Sequence, residues 1–457
     1  MNNIIQHFVE EGIRNLQDKL IKLLSEGEGL TAIVAEVKKE TDALGRGICV
    51  EIIESLDNSI KNDPRRKKDW YVERTNDEKS VITKLGEITY RRTYYKTKDG
   101  KKYRHLVDEI LDISPHERID REVRAELVEG ACNLSYRKTG ANTCEVEISG
   151  QTVMKSVRGI KKLKLEKLAG ERKTVDILYV EADEDHIALQ TGGTAMPRLV
   201  YVHEGITEEN GRRSLVNPYY IAGLKGKAAE TWQEVYEYIE DNYEIDKIKT
   251  IYLLGDGAAW IKQGLDYLPN SKFVLDRYHM NKYVTKATAH MPDYAIKIWN
   301  CLNEVDLKEM SVVFNELYSA TGNKNKRKEI KECWKYFMNN WAGIEIRKKE
   351  NKRIIGCSAE GHNSHILAAR MSSRPMGWST DGAEKMARLR AFKANKGIVF
   401  DFIKAQEQEA KLYNITKKLL KQTAKGLKSK TAERLNNIAV INYGKKTGLY
   451  NKLKAIR

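Results

Sequence analysis

Thr250-Ile251-Tyr252-Leu253-Leu254-Gly255-Asp256-Gly257 is an apolar run that ends in a carboxylate and a glycine. A strand that delivers an Asp into a glycine-containing turn is the usual way a sheet edge presents a ligand. Upstream lie three strand candidates in a row: TVDILYVEADEDHIALQ (174–190), RLVYVHEGI (198–206) and SLVNPYYIAGL (214–224). A helical pattern over 231–243 separates them from the quoted run. The helix 258–268 and the strand SKFVLDRYH (271–279) follow it. Three strands and then alternating helices and strands predict a mixed α/β sheet.

That order resembles the ribonuclease-H-like core, and the rest of the chain is read around it. The prediction is an α+β multidomain protein. Residues 1–62 form an N-terminal helical region, because Ile4, Phe8, Ile13, Leu16, Leu20 and Leu23 recur mostly at steps of three and four. Residues 63–112 form a small β-hairpin unit around Asp99-Gly100. Residues 113–170 make three short helices of helix-turn-helix type. The core spans 171–282 and resumes at 353–380 after a helical insertion, 283–352. Residues 381–457 are a basic helical C-terminal region.

In the third short helix Ser149 is a candidate N-cap, and Val153, Val157 and Ile160 should face inward. That turns Gln151, Thr152, Lys155 and Arg158 outward, with Lys161 and Lys162 in the basic tail behind them. Base-reading side chains at the N-terminal end of a helix, followed by cations, are the layout of a DNA recognition helix.

Three acids stand where such a sheet would hold metal. Asp183 lies late in a strand of apolar residues, Asp256 follows it by 73 residues, and Glu360 lies 104 further on, at the start of a helix. Asp185 shares a strand face with Asp183 and is the alternative first acid. Two hard divalent cations, Mg2+ or Mn2+, clamp the attacking and leaving oxygens of an in-line phosphoryl displacement, and a few carboxylates suffice to hold them. Trp299, Trp334 and Trp341 in the insertion are read as helix packing.

The blocks GDGAAWI (255–261), LDRYHMNKYV (275–284) and GCSAEGHNSHILAARMSSRPMGWS (356–379) resemble the Mutator-like transposases of bacterial insertion sequences. More narrowly they resemble the ISLre-type branch, long catalogued as an uncharacterised protein family. The resemblance runs from about residue 86 to about residue 400. It implies a DDE enzyme with Asp183, Asp256 and Glu360 as catalytic metal ligands. Asp276 and His279, which fit the family's Cys/Asp-x-x-His element, would stand behind them. His362, His365, Arg370 and Arg374 would contact scissile DNA. It further implies cleavage at the ends of a mobile element and attack of the new 3′-hydroxyl on target DNA. VEADEDHIALQ is more acidic than the usual first motif, which leaves the first ligand the least secure.

Composition agrees with a polyanionic partner. Among 457 residues, 80 Lys and Arg face 64 Asp and Glu, a formal charge of +16. Each phosphate that such cations neutralise releases counterions. With it, the resemblance implies double-stranded DNA, both element ends and target, as the partner, bound by a homo-oligomer. The six cysteines form no CxxC pair, which predicts reduced structural thiols. No apolar run is long enough for a membrane span, and no targeting signal leads the chain, so the cytoplasm, at the nucleoid, is the expected location. Two other readings stay open: a non-catalytic helix-turn-helix DNA-binding protein, and a nuclease on the same fold.

Overall fold

A computed structural model describes residues 2–161 and 171–408. The chain divides into two compact units, Met1–Val399 and Phe400–Arg457. The second is helical as far as residue 408, and the rest of the expected C-terminal region, 409–457, lies outside the described residues. Among them, no helix is long and apolar enough to cross a membrane.

Helices α1 (Asn2–Ser25) and α2 (Leu30–Asn62) open the first unit. Strands β1 (Trp70–Thr83) and β2 (Gly86–Thr97) pair antiparallel, and β3 (Tyr103–Arg104) adds to β2 beyond the Asp99-Gly100 turn. The expected hairpin centred on that turn. The larger one is β1–β2, and β1 escaped sequence reading because most of WYVERTND faces solvent and so shows no apolar alternation. Asp57 of α2 binds the sheet by accepting from Thr93 N at 3.2 Å and Thr93 Oγ1 at 2.6 Å.

Helices α3 (Arg121–Ala131), α4 (Tyr136–Asn142) and α5 (Gly150–Arg158) are each started by a side-chain cap. Asp120, Ser135 and Ser149 accept from the backbone N–H groups of Val123, Lys138 and Thr152. Val153, Val157 and Ile160 are buried as the periodicity requires. Gly140 is obligatory at the crossing, since a Cβ there would stand 1.8 Å from the Ile148 carbonyl oxygen.

The central sheet contains β4 (Ile177–Glu184), β5 (Arg198–His203), β6 (Tyr219–Gly223), β7 (Thr250–Gly255) and β8 (Ser271–Leu275), with α6 (Ala228–Asn242) between β6 and β7. Its order is β6-β5-β4-β7-β8: the first three strands form an antiparallel meander, and β7 and β8 run parallel to β4. The protein is thus mixed α/β around this sheet. Because strand side chains alternate, β4 divides into two faces. Leu178, Val180 and Ala182 join Trp232, Val235 and Ile239 of α6 in the main core. Tyr179, Glu181 and Asp183 face the other way.

Helices α7 (Arg277–Thr288), α8 (Asp293–Glu304), α9 (Leu307–Ala320) and α10 (Lys324–Lys349) form the insertion, which shares the main core through Ile298, Phe314, Phe337 and Trp341. Trp341 is buried, and Trp299 and Trp334 are partly buried against that core. Helix α11 (Ala359–Asn363) continues into a π-turn, Ser364–Ala368. Helix α12 (Thr380–Ala394), at the start of the expected basic helical region, buries Ala383, Met386, Ala387, Leu389, Ala391 and Phe392. Cations punctuate this helix so densely that its apolar face was masked in composition.

Candidate active site

Asp183 stands near the end of β4, buried, and its pKa is pushed up to about 6. Burial is the main cause; the carboxylates of Glu360 and Asp256 add to it, while the Glu184 backbone N–H and His279 oppose it. Asp183 is therefore close enough to both Asp256 and Glu360, far from it in sequence, to feel their charges. Asn363 Nδ2 donates to Asp183 Oδ2 at 3.0 Å and to the Glu184 carbonyl at 3.0 Å. Asn363 was not singled out in the sequence, although it lies one helical turn from Glu360 and so shares its face. Its Oδ1 is buried with no hydrogen-bond partner. Asp185 lies past the strand end and accepts from Ser372 Oγ at 3.0 Å, which leaves Asp183 as the acid facing the other two.

Asp256 follows β7, and its Oδ1 accepts from Ala258 N at 2.8 Å, closing an Asx turn. Gly257 has φ +88°, and a Cβ there would stand 2.2 Å from Asn340 Oδ1. The turn is packed directly on α10, and Tyr336 of that helix donates to the Asp256 carbonyl at 2.7 Å. Tyr336 stacks on Tyr283 of α7 with ring centroids 3.5 Å apart. The insertion thus fixes the loop that carries the second acid.

Asp276 caps α7 by accepting from Tyr278 N at 3.1 Å and holds His279 Nδ1 at 3.1 Å; both residues are buried. Burial pushes the His279 pKa down. The hydrogen bond to Asp276 and the charges of Asp276, Asp256 and Asp183 outweigh it and leave the imidazole above its ordinary value.

Glu360 is exposed near the start of α11. The start of that helix is tied to β4 by a buried network absent from the sequence reading. Glu181, 0% exposed, accepts from Ser358 N at 2.7 Å, Ser358 Oγ at 3.3 Å, Tyr201 Oη and His203 Nε2 at 3.1 Å. Burial raises its pKa, but these donors outweigh it and hold the carboxylate below its usual range. Strand β4 and α11 are thereby joined through two side chains of one strand face, Asp183 bound by Asn363 and Glu181 by Ser358. A π-turn directly after the acid-bearing helix is a feature frequent at functional sites.

The expected DNA contacts divide. Gln151 and Lys155 are exposed on α5, and Lys161 is exposed after it; Lys162 lies outside the described residues. Thr152 Oγ1 is engaged with Ser149 Oγ at 2.9 Å. Arg158 Nη2 donates to Ser379 Oγ at 2.7 Å, so it docks α5 against the segment before α12. Arg370 corrects the expectation of a DNA contact. It is 6% exposed, donates to the Ala131 carbonyl at 2.8 Å, and lies over the rings of Trp378 and Tyr136 at 4.9 and 5.6 Å. It staples the helical trio to the core. His365 and Arg374 are exposed. His362 is half-buried, with its Nδ1 3.1 Å from Tyr220 Oη, and burial lowers its pKa.

Among the described residues no three His, Cys, Asp or Glu side chains form a ready metal cage. The donor set nevertheless fits a hard cation: three carboxylates from three elements, no thiolate, and mutual repulsion that a cation would relieve.

The family described as Uncharacterised protein family (UPF0236) matches residues 23–432. A UPF0236 protein of Caldanaerobacter subterraneus subsp. tengcongensis is 46% identical over 453 residues, covering 99% of this chain and 96% of its own. Another from that organism, whose name carries eleven locus designations, is 45% identical over 446 residues, covering 97% and 95%. A Streptococcus gallolyticus protein described as a UPF0236 protein in the vanSb 3′ region is 20% identical over 390 residues, covering 82% and 85%. The chain belongs to the uncharacterised protein family UPF0236.

Proposed function

We propose that the protein is a DDE-type DNA transposase of an insertion sequence. It cleaves the element's ends and joins the 3′-hydroxyls to target DNA as a homo-oligomer at the nucleoid. The observation that carries this reading is that Asp183 and Asp256 stand at the ends of adjacent parallel strands in a sheet ordered 3-2-1-4-5, with the charge of Glu360 also reaching Asp183. We read that sheet, with its antiparallel meander and two parallel strands, as a ribonuclease-H-like core, and α3–α5 as a helix-turn-helix domain. The relative whose name carries eleven loci of one genome adds support, since multiplied copies are what a self-moving element leaves behind.

Asp183, Asp256 and Glu360 would hold two Mg2+ or Mn2+ ions, which supply Lewis-acid stabilisation of the attacking and leaving oxygens. The chain's own groups do the rest. Asn363 fixes the rotamer of Asp183. The Asx turn and Tyr336 aim Asp256. His279 is held by Asp276 beside the acidic cluster, whose charges act to raise its pKa. Gln151 and Lys155 present base- and phosphate-reading groups at the start of α5.

The test is Mg2+-dependent nicking of a plasmid carrying the inverted repeats that flank the gene. Wild-type protein should nick at the repeat ends, and Asp256→Asn should bind those ends without cutting. Nicking by Asp256→Asn, or equal nicking of plasmid lacking the repeats, would overturn the proposal.

A further inference from the structure

We propose that the open face of the β1–β2–β3 sheet is a binding site for single-stranded DNA, separate from the acidic cluster and from α5. Tyr71 pairs with Lys96, and Lys96 pairs with Tyr103, so the three side chains form one row across three strands. Directly opposed residues share a sheet face. Tyr94, two residues from Lys96, lies on that face too, with its ring 5.7 Å from Tyr103 at 24°. Arg74 stands over Tyr94 at 4.5 Å, Lys96 over Tyr103 at 5.4 Å and Lys98 over Tyr71 at 5.7 Å. Tyr71 and Tyr103 are 57% and 43% exposed.

Tyr71 and Tyr103 stay substantially exposed although cations lie beside them. Charge selects the occupant. Over residues 65–104, fourteen Lys and Arg stand against six Asp and Glu. Lys67, Lys68, Lys98, Lys101 and Lys102 are exposed, and Asp99 is the acid whose charge reaches Lys101 and Lys102. A polyanion whose backbone follows these lysines and whose bases stack on Tyr71 and Tyr103 satisfies both halves of the surface. A duplex satisfies the lysines alone, because its bases are already stacked. The chemistry therefore points to an unpaired strand. This inference does not depend on the catalytic reading, since it involves none of the three acids.

The experiment measures fluorescence anisotropy of the full chain with a labelled oligothymidine of about 12 nucleotides, against a duplex and an RNA of the same length. Tyr71→Ala/Tyr103→Ala should weaken oligothymidine binding about tenfold, equivalent to ~1.4 kcal/mol, and leave duplex binding unchanged. Both positions are exposed, so folding should persist, and circular dichroism checks it. Tyr71→Phe/Tyr103→Phe should restore the affinity, since the ring and not the hydroxyl does the stacking. Unchanged oligothymidine binding in the alanine variant, an equal loss on duplex, or tighter binding to the RNA would each overturn the proposal.

Discussion

Asn363 donates its side-chain amide to Asp183 at 3.0 Å from the same helix face that carries Glu360. The first and third acids of the cluster are thereby set by one element. Asn363→Ala removes the positioning without touching a carboxylate. Single-turnover cleavage of end DNA should slow about tenfold, ~1.4 kcal/mol in the barrier, while binding of the ends holds. A cleavage rate equal to wild type would detach Asn363 from the site.

The raised pKa of Asp183 makes stability depend on pH in a defined direction. The folded group binds its proton up to about pH 6, whereas its ordinary pKa is 3.8. Proton binding thus favours the folded state at low pH, and that stability is lost as pH rises from about 4 to about 6. Asp183→Asn escapes the loss. In EDTA it should be more stable than wild type by about 2 kcal/mol at pH 8, and the two should converge near pH 4. Urea denaturation at the two pH values reads this. Mg2+ should stabilise wild type at pH 8 and the variant much less.

Glu181 is the hub of the network that ties α11 to β4. Removing an acceptor from several buried donors costs more than the bonds contributed net, because those donors stay desolvated. Glu181→Ala should lose about 3 kcal/mol of stability, and Ser358→Ala about 1 kcal/mol. Denaturation midpoints that leave Glu181→Ala within error of wild type would refute the role.

Much of this site could be read before the coordinates. The apolar run before Asp256 announced the buried strand β7 that ends there. Ser149 and the burial of Val153, Val157 and Ile160 followed from local spacing. What escaped was everything made by partners distant in sequence. Asn363 to Asp183, Ser358 to Glu181 and Tyr336 to Asp256 are contacts across 180, 177 and 80 residues. No local period encodes them. Arg370 failed for a related reason: its charge suggested phosphate, but its neighbours Tyr136, Trp378 and the Ala131 carbonyl come from elements that only the fold brings together.

That correction makes its own prediction. Arg370→Ala leaves the Ala131 carbonyl without its donor and a gap between two aromatic rings. It should destabilise the protein by about 2–3 kcal/mol while the folded fraction binds DNA as wild type does. Arg374→Ala, at an exposed position in the same segment, should do the reverse. Titrations with duplex DNA beside thermal melts separate the two. Weaker DNA binding by well-folded Arg370→Ala would restore it as a DNA contact.

Gln151 and Lys155, both exposed on α5, should behave differently from each other, and this tests whether the helix reads sequence. Gln151, one residue after the start of α5 and exposed, has the geometry to reach a base edge, where a lost contact is worth ~1–3 kcal/mol of discrimination. Lys155, one turn on, is a point charge suited to a phosphate. Gln151→Ala should therefore narrow the gap between affinity for the element's ends and for random duplex, with little change in the salt dependence. Lys155→Ala should weaken both duplexes alike and reduce the slope of log affinity against log salt by about 1. Because Arg158 is engaged by Ser379 at 2.7 Å, Arg158→Ala should alter the docking of α5, weakening both duplexes with no loss of slope. If Gln151→Ala keeps the full preference for the ends, the reading residues lie elsewhere and α5 is a packing helix with a solvated face.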